Sequence, residues 1–260
     1  MQVLPLLLLF LLPWAATWLG SVAGIRMRLA SPARQAAFLG FAGGVMVSAS
    51  IWSLILPAFD SLPGLPGTAI ATAGFVLGCG LMLVLDKLLP HQHAHEDTPE
   101  GHASHLTRPM LLVMAVMLHN IPEGVALGVV MAATLREGIG FAGAAAFALG
   151  LALQNFPEGM AVVVPLRESG MTRRRLMRWG TLASCAEPAA ALLGFALSLA
   201  LAGLGGAVLS LLLSLAAGAM MFIVVEELIP ASQADATGHA PTYGFLIGFW
   251  MMAVLGVVLG

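Results

Sequence analysis

Two short strings, HNIPEG at residues 119–124 and QNFPEG at residues 154–159, interrupt the apolar middle of the chain. Each string lies inside a long hydrophobic segment and brings imidazole, amide or carboxylate groups into it. Ionisable groups at such positions are costly in a membrane, and they mark pathways and binding sites. We therefore take the two strings as the candidate functional site and ask what surrounds them.

The composition indicates an integral membrane protein. Of the 260 residues, 59% are hydrophobic and only 9% are charged. A soluble domain of this length would carry about 25% charged residues. Soluble enzymes and nucleic-acid-binding proteins are therefore excluded as classes.

Hydrophobic runs of about 20 residues, the length needed to span a bilayer, fill most of the chain. We predict an all-α, polytopic bundle of eight transmembrane helices that forms a single transporter domain over residues 1–260. The connections are too short to hold a separate soluble domain. The predicted spans are residues 4–25, 36–59, 66–89, 109–134, 139–165, 175–202, 205–229 and 241–259.

The basic residues predict the orientation, because Lys and Arg are retained on the cytoplasmic side. Ten of the eleven lie in connections that follow an odd-numbered span, and only Arg136 lies in the opposite set. This places the connections 1–2, 3–4 and 5–6 in the cytoplasm. Both termini are then periplasmic or extracellular, and we expect the protein in the bacterial inner membrane.

Three acids, Glu123, Glu158 and Glu187, fall near the middle of spans 4, 5 and 6 with no basic residue at that depth. Three uncompensated carboxylates would cost about 8 to 10 kcal/mol on insertion scales. Protons could compensate them, and so could hydrogen bonds that join helices. Because His, Asn and Gln stand beside the acids, a divalent metal is the favoured explanation.

The offsets within the strings indicate how a metal would be held, because residues three and four apart share a helix face. Glu123 and Glu158 are each reached by the first two residues of their own string. Two neighbouring metal positions result, bridged by both glutamates. The first is lined by His119 and Gln154, and the second by Asn120 and Asn155. This oxygen-rich set suits zinc, iron(II), manganese or cadmium better than copper(I).

Each string also contains a proline, Pro122 or Pro157. Neither can donate to the carbonyl four residues earlier, at Leu118 or Leu153, so we expect both helices to kink and expose backbone oxygen. Broken helices at the membrane midplane form ion sites in transporters. The prolines therefore favour transport over simple binding.

HNIPEG followed by QNFPEG in the next span resembles the Zrt/Irt-like (ZIP) family of divalent metal transporters, and the Gln resembles its GufA-type branch. The resemblance implies that spans 4 and 5 are central and that spans 1–3 and 6–8 are related by inverted pseudosymmetry. It also implies metal movement toward the cytoplasm by alternating access.

By the same resemblance, His119, Glu123, Gln154 and Glu158 match the primary metal site, with Met46 as a soft ligand. Asn120, Asn155 and Glu187 match a second site. Asn155 stands where a better-known bacterial pattern has Asp, which weakens the second position. The expected pathway residues are Ser53, Asp60, Glu226 and Glu227. The alternatives are a core role for Met46, a helix-capping role for Asp60 and ordinary surface acids at 226 and 227.

The cytoplasmic loop at about residues 90–108 holds five of the seven histidines. Such a tract can bind zinc, so His91, His93 and His95 are candidate loop ligands. The alternative is an ordinary solvated linker. We read the loop as a segment that buffers or senses metal leaving the pore.

The predicted function is a divalent metal transporter, with zinc favoured and cadmium, iron(II) and manganese as further substrates. No GxxxxGK[ST] phosphate loop is present, so ATP-driven pumping is not expected. The metal is cargo, and no cofactor is expected. The expected partners are divalent ions and the bilayer, with a homodimer left open. The competing classes are a membrane metalloenzyme with carboxylate and His ligands and a metal-sensing membrane protein.

Overall fold

A computed structural model of the protein describes residues 3–26, 31–92, 98–136, 139–234 and 238–259. Within these ranges the regular structure is helical, apart from one isolated antiparallel bridge between His91 and Glu100. Eight helices are long and apolar enough to cross a membrane, which confirms the predicted helical bundle. We number them α1 Leu4–Arg26, α2 Ala33–Ser61, α3 Leu65–Leu88, α4 Arg108–Leu135, α5 Phe141–Glu168, α6 Arg173–Ala200, α7 Gly206–Ala234 and α8 Ala240–Leu259.

Local sequence explains where several of these helices begin. Ser31 accepts a hydrogen bond from the backbone N–H of Arg34 at 3.4 Å and so caps the start of α2. Pro66 and Pro109 lie in the first turns of α3 and α4. Proline is tolerated there because the first N–H groups of a helix have no partner within it.

The interruptions of the helices differ from those we expected. α4 and α5 each run as continuous α-helix through Pro122 and Pro157, so neither helix is broken at the polar strings. One missing N–H per helix is compensated by the surrounding packing. The irregular turns lie elsewhere, in π-helical segments of α2 (Ser50–Ile55) and α7 (Val224–Leu228) and in a turn at Cys185 within α6.

The helices pack in four principal pairs: α1 with α5, α2 with α8, α3 with α7, and α4 with α6. Exchanging 1 with 6, 2 with 7, 3 with 8 and 4 with 5 maps this set of pairs onto itself. The exchange also maps the π-helical segment of α2 onto that of α7. Each exchange swaps an odd helix for an even one, so the pairing is that of an inverted repeat.

Small residues allow the pair α4 and α6 to approach closely. A Cβ atom added at Gly124 or Gly128 would overlap the backbone of α6 at Glu187 or Ala191. Close backbone approach of this kind is how membrane helices associate without a hydrophobic driving force. It also holds Glu187 beside the first polar string.

α4, α5 and α7 are the most buried helices, whereas α3 and α8 face mostly outward. The main apolar cluster includes Met46, Leu127, Phe147, Leu151 and Met220, all with at most 1% of their surface exposed. The two polar strings therefore lie on central helices of the bundle, with most of their polar side chains buried.

Candidate metal centre

The three acids identified from the sequence are buried at the centre of the bundle. Glu123 on α4 and Glu187 on α6 are 0% exposed, and Glu158 on α5 is 5% exposed. Among the described residues, none of the three forms an ion pair with Lys or Arg. The negative charge thus has no fixed cationic partner in this part of the chain.

An amide group connects α4 and α5. The Gln154 Nε2 group donates a hydrogen bond to Glu123 Oε1 at 2.6 Å. Hydrogen bonds from an amide to an ionised carboxylate are short and roughly twice as strong as neutral ones. The first residue of the second string therefore positions the glutamate of the first.

A second amide connects α5 and α6. Asn155 Nδ2 donates to Glu187 Oε2 at 2.7 Å and, at 3.5 Å, to the backbone oxygen of Pro13 on α1. On α4, Asn120 Nδ2 donates to the Ala183 carbonyl of α6 at 3.4 Å. At the second predicted metal position, the side-chain amides of Asn120 and Asn155 thus form hydrogen bonds between helices.

Acceptor atoms remain unpaired around this cluster. Within the residues that the structure describes, seven buried side-chain oxygens at the site have no hydrogen-bond donor. Each such group would cost about 1 to 3 kcal/mol if nothing satisfied it. All seven are acceptors, the kind of atom that a bound cation can satisfy. They are Asn120 Oδ1, Glu123 Oε2, Gln154 Oε1, Asn155 Oδ1, Glu158 Oε1 and Oε2, and Glu187 Oε1.

His119 lies at the edge of this cluster and contacts an acid from a distant helix. Its Nε2 atom meets Glu227 Oε2, which the π-helical segment of α7 carries into the bundle. The side chain of Glu227 is only 14% exposed, whereas Glu226 is exposed. The two acids predicted to form an exit therefore have different positions. Glu227 lies beside the candidate metal centre, and Glu226 lies at the surface.

A cavity of 250 Å³, here called the proximal cavity, leads away from the cluster. Its walls include His119, Glu158 and Glu227 at one side and Gln35 and Gln92 at the other. Gln92 belongs to the connection between α3 and α4. The cluster is therefore reached from the end of the bundle that carries this connection.

A second cavity of 300 Å³, here called the distal cavity, contains the pathway residues predicted at the other end. Ser53 and Asp60 line it together with Val130 of α4. Leu127 and Leu151 lie one helical turn from Glu123 and Asn155 on the distal side, and both are buried in the apolar cluster. The packed side chains of Leu127 and Leu151 thus lie between the distal cavity and the candidate metal centre.

The remaining predicted ligands have mixed positions. Met46 is fully buried in the main apolar cluster, a location that suits a core methionine as well as a soft ligand. His91 is also fully buried, beside Asp86 and Glu100. His93 and His95 lie outside the described residues.

Sequence reasoning missed two features of this region. The direct contact of Glu227 with His119 depends on the irregular turn of α7, which hydropathy does not encode. The association of His91 with Asp86 and Glu100 depends on the bridge between His91 and Glu100, for which the sequence carries no signal.

The fold and the site define a polytopic membrane protein of inverted-repeat architecture whose buried, oxygen-rich cluster is suited to a divalent cation. Comparison with known proteins gives the family. Residues 90–256 match the family model described as "ZIP Zinc transporter". The chain belongs to this ZIP family.

Named relatives align with nearly the whole chain. It is 36% identical to the zinc transporter ZIPB of Bordetella bronchiseptica, over 95% of this chain and 79% of that protein. It is 35% identical to the zinc transporter GufA of Myxococcus xanthus, over 96% of this chain and 97% of that protein. Identity to the zinc transporter ZupT of Corynebacterium glutamicum is 33%, over 92% and 93% of the two chains.

Proposed function

We propose that this protein carries Zn²⁺, or a chemically similar divalent cation, across the bacterial inner membrane toward the cytoplasm. The observation that carries the proposal is the set of seven buried oxygens without donors, on residues from α4, α5 and α6. Divalent cations bound among these residues would supply the partners that the oxygens lack. The related zinc transporters support zinc as the favoured cargo.

His119, Glu123, Gln154 and Glu158 are the proposed ligands of the principal ion, with Met46 as an additional soft ligand. Asn120, Asn155 and Glu187 would form the second position. The contact of Asn155 with Glu187 supports a weaker metal affinity at the second position than at the first. The amide already donates a hydrogen bond to the Glu187 carboxylate, which therefore needs a cation less. One ion per chain is therefore the expected load.

The proposed route runs from the distal cavity through the metal centre to the proximal cavity. Ser53 and Asp60 would receive the ion, and Glu227 would accept it from His119 on the way out. Glu226 lies at the surface beyond this point. Alternating access requires the packing around Leu127 and Leu151 to open on the distal side and the proximal cavity to close.

The distribution of basic residues supports the direction of transport. Ten of the eleven lie in or beside the connections on the side of the α3–α4 loop, which supports a cytoplasmic position for that side and an outside position for both termini. The inside-negative potential then favours entry of a divalent ion by about 4.6 kcal/mol per 100 mV. Uptake would therefore need no ATP.

A membrane metalloenzyme with carboxylate and His ligands is the competing class, and we propose that the protein is not an enzyme. Di-iron helical bundles use Glu-x-x-His motifs, whereas α4 carries His119 and Glu123 in the order His-x-x-x-Glu. The cluster also adjoins the proximal cavity, which would serve as an access path for a transported ion. The metal would be cargo, with no cofactor, and one transmembrane domain would suffice for transport. A homodimer is testable by cross-linking in native membranes.

Purified protein in sealed liposomes tests the proposal. An interior zinc-sensitive dye should report saturable zinc entry without ATP, and an inside-negative potassium diffusion potential should accelerate it. Protein-free liposomes give the background rate. Zinc binding without any entry, under either potential, would contradict transport and favour a sensor or an enzyme.

A further inference from the structure

Basic side chains are concentrated where the ends of α1 and α5 meet the start of α6. This group, here called the arginine patch, consists of Arg26 on α1, Arg167 on α5, and Arg173, Arg174, Arg175 and Arg178 on α6. All of them except Arg167 are exposed. The neighbouring acid is Glu168, so the patch keeps a strong net positive charge.

The residues beside these arginines hold the three helix ends together. Arg167 Nη1 donates a hydrogen bond to the Gly24 carbonyl of α1 at 2.8 Å. Leu176 of α6 is 3% exposed and belongs to the same small apolar cluster as Val163 of α5, against which Ile25 of α1 packs. The arginines therefore form one surface and not three separate helix ends.

The exposed arginines of the patch have no acidic partner among the residues that the structure describes. Retention of basic residues on one side of the membrane explains why they lie at this end of the bundle. It does not explain their concentration at one junction, since Arg34 and Lys87 are exposed at other helix ends on the same side. Like charges this close repel one another, and an anion bound between them stabilises the arrangement.

The outward face of α6 combines charge with an apolar side chain. Arg174, Arg178 and Leu182 are spaced four residues apart, so they share one face of the helix. Both arginines are exposed, and Leu182 is 52% exposed. At a rise of about 1.5 Å per residue, Leu182 lies about 6 Å farther along the helix than Arg178. Leu193, 65% exposed and three turns farther on, continues the apolar part of this face.

Two tryptophans indicate the depth of this face in the membrane. Trp18 of α1 donates its Nε1–H to Thr181 Oγ1 of α6 at 3.2 Å. Trp179 packs against the small apolar cluster that contains Leu176. Tryptophan is enriched where the bilayer meets water. The first turns of α6 therefore lie at the level of the lipid headgroups, with Leu182 toward the acyl chains.

We propose that the arginine patch binds an anionic phospholipid, with its phosphate at Arg174 and Arg178 and an acyl chain along Leu182. Guanidinium groups bind phosphate through paired N–H donors, and clusters of basic residues beside a membrane helix attract acidic lipids. In the proposed orientation, the lipid belongs to the cytoplasmic leaflet. The proposal does not depend on the transport function, because it concerns binding on the outer surface of the bundle.

The lipid-facing segment of α6 also contacts the interior of the protein. The Ala183 carbonyl accepts a hydrogen bond from Asn120 Nδ2 at 3.4 Å. A Cβ atom added at Gly180 would lie 2.9 Å from the Cβ atom of Ser21, so α6 packs tightly on α1 here. A lipid bound at Arg174 and Arg178 would hold this segment in place. Its binding should therefore raise the melting temperature of the whole chain.

Lipid retention by the full chain tests the proposal. The protein in detergent would be titrated with phosphatidylglycerol or phosphatidylcholine, and the bound lipid counted by native mass spectrometry. We expect preferential retention of phosphatidylglycerol, and a higher melting temperature with it than with phosphatidylcholine. Arg174→Gln with Arg178→Gln should weaken phosphatidylglycerol binding about 25-fold, from about fivefold for each arginine.

Matched variants separate this site from general charge effects and from misfolding. Arg34→Gln with Lys87→Gln removes two exposed basic residues from the same end of the bundle and should leave phosphatidylglycerol binding unchanged. Arg174→Lys with Arg178→Lys keeps the charge and should retain most of the binding. Glycerol phosphate, which has no acyl chain, should not displace the lipid.

Three results would overturn the proposal. They are equal retention of the two lipids by the unmodified protein, equal losses in the two Gln double variants, and displacement of the lipid by glycerol phosphate. The last result would indicate a site for free phosphate instead of a lipid.

Discussion

Asn155 on α5 donates its amide hydrogen to Glu187 on α6 at 2.7 Å, and both side chains are completely buried. The amide thus lies where an aspartate would have added a second negative charge. A donor facing the carboxylate stabilises it without a metal, whereas an aspartate there would repel it. The identity of residue 155 should therefore determine how many ions the site holds.

Asn155→Asp should raise the number of bound zinc ions from about one to about two per chain in the central site. The change removes the hydrogen bond and adds a carboxylate, so the added charge requires a cation. Calorimetric titration of a His91→Gln background would give the count, since that background lacks the candidate loop ligand His91. The same stoichiometry with and without the Asn155→Asp substitution would argue against two adjacent positions.

The Asn155→Asp protein should also depend on metal for its stability. Without zinc, two facing carboxylates are buried together, and buried charges without a compensating partner are strongly destabilising. The melting temperature in detergent should fall on chelation more steeply than for the unmodified protein. Asn120→Asp provides a comparison, because Asn120 donates to the Ala183 carbonyl instead of to an acid.

Gln154→Ala should destabilise the protein and weaken zinc binding together. It removes the 2.6 Å hydrogen bond to buried Glu123, and bonds to charged groups contribute about 1.5 to 3 kcal/mol. Thermal unfolding in detergent measures the first effect and zinc titration the second. Gln35→Ala, at the far side of the proximal cavity, should change both by much less. Equal effects of the two substitutions on thermal stability and zinc affinity would contradict a role for Gln154 in the site.

Glu227→Gln should slow zinc uptake about tenfold, which corresponds to about 1.4 kcal/mol. The substitution removes the charge that contacts His119 at the entrance to the proximal cavity, and with it the acceptor for the departing ion. Initial rates in liposomes give the comparison. Glu226→Gln changes the adjacent exposed acid and should leave the rate close to normal. A reversed order of the two variants would exclude the proposed exit.

The helical architecture and the location of the polar site could be predicted from sequence. Both follow from the free-energy cost of placing polar and charged groups in a membrane. Long apolar runs predicted the eight helices, which the structure confirms. The insertion cost of Glu123 and Glu158 singled out the two polar strings as a candidate cation site, in which His119 and Gln154 were predicted to line one position between the two glutamates. Gln154 does contact Glu123, although the ligand roles stay predictions.

Other features depend on geometry that hydropathy does not encode. The π-helical segment of α7 changes the register of the helix and turns Glu227 toward His119, while Glu226 remains outside. The prolines expected to kink the helices do not interrupt them, since α4 and α5 continue through Pro122 and Pro157. The group at His91 needs the loop to fold back by the bridge to Glu100, which no periodic pattern predicts.

The access of the metal centre can be tested by cysteine labelling. In a background with Cys79→Ser and Cys185→Ser, Ala161→Cys should react with a hydrophilic thiol reagent, because Ala161 lines the proximal cavity. Zinc should slow the reaction by occupying the cavity end near Glu158. Ala126→Cys, at a fully buried position, should not react. Labelling of Ala161→Cys that is insensitive to zinc would contradict a shared pathway.

The central claim is that ions cross through the site bridged by Glu123 and Glu158, and zinc flux through isosteric variants tests it most directly. Glu123→Gln and Glu158→Gln keep side-chain volume but remove the charges, so each should abolish uptake into liposomes. Glu168→Gln, an exposed acid at the end of α5, is the matched control and should transport normally. Normal zinc flux through either of the first two variants, in correctly folded protein, would contradict the account.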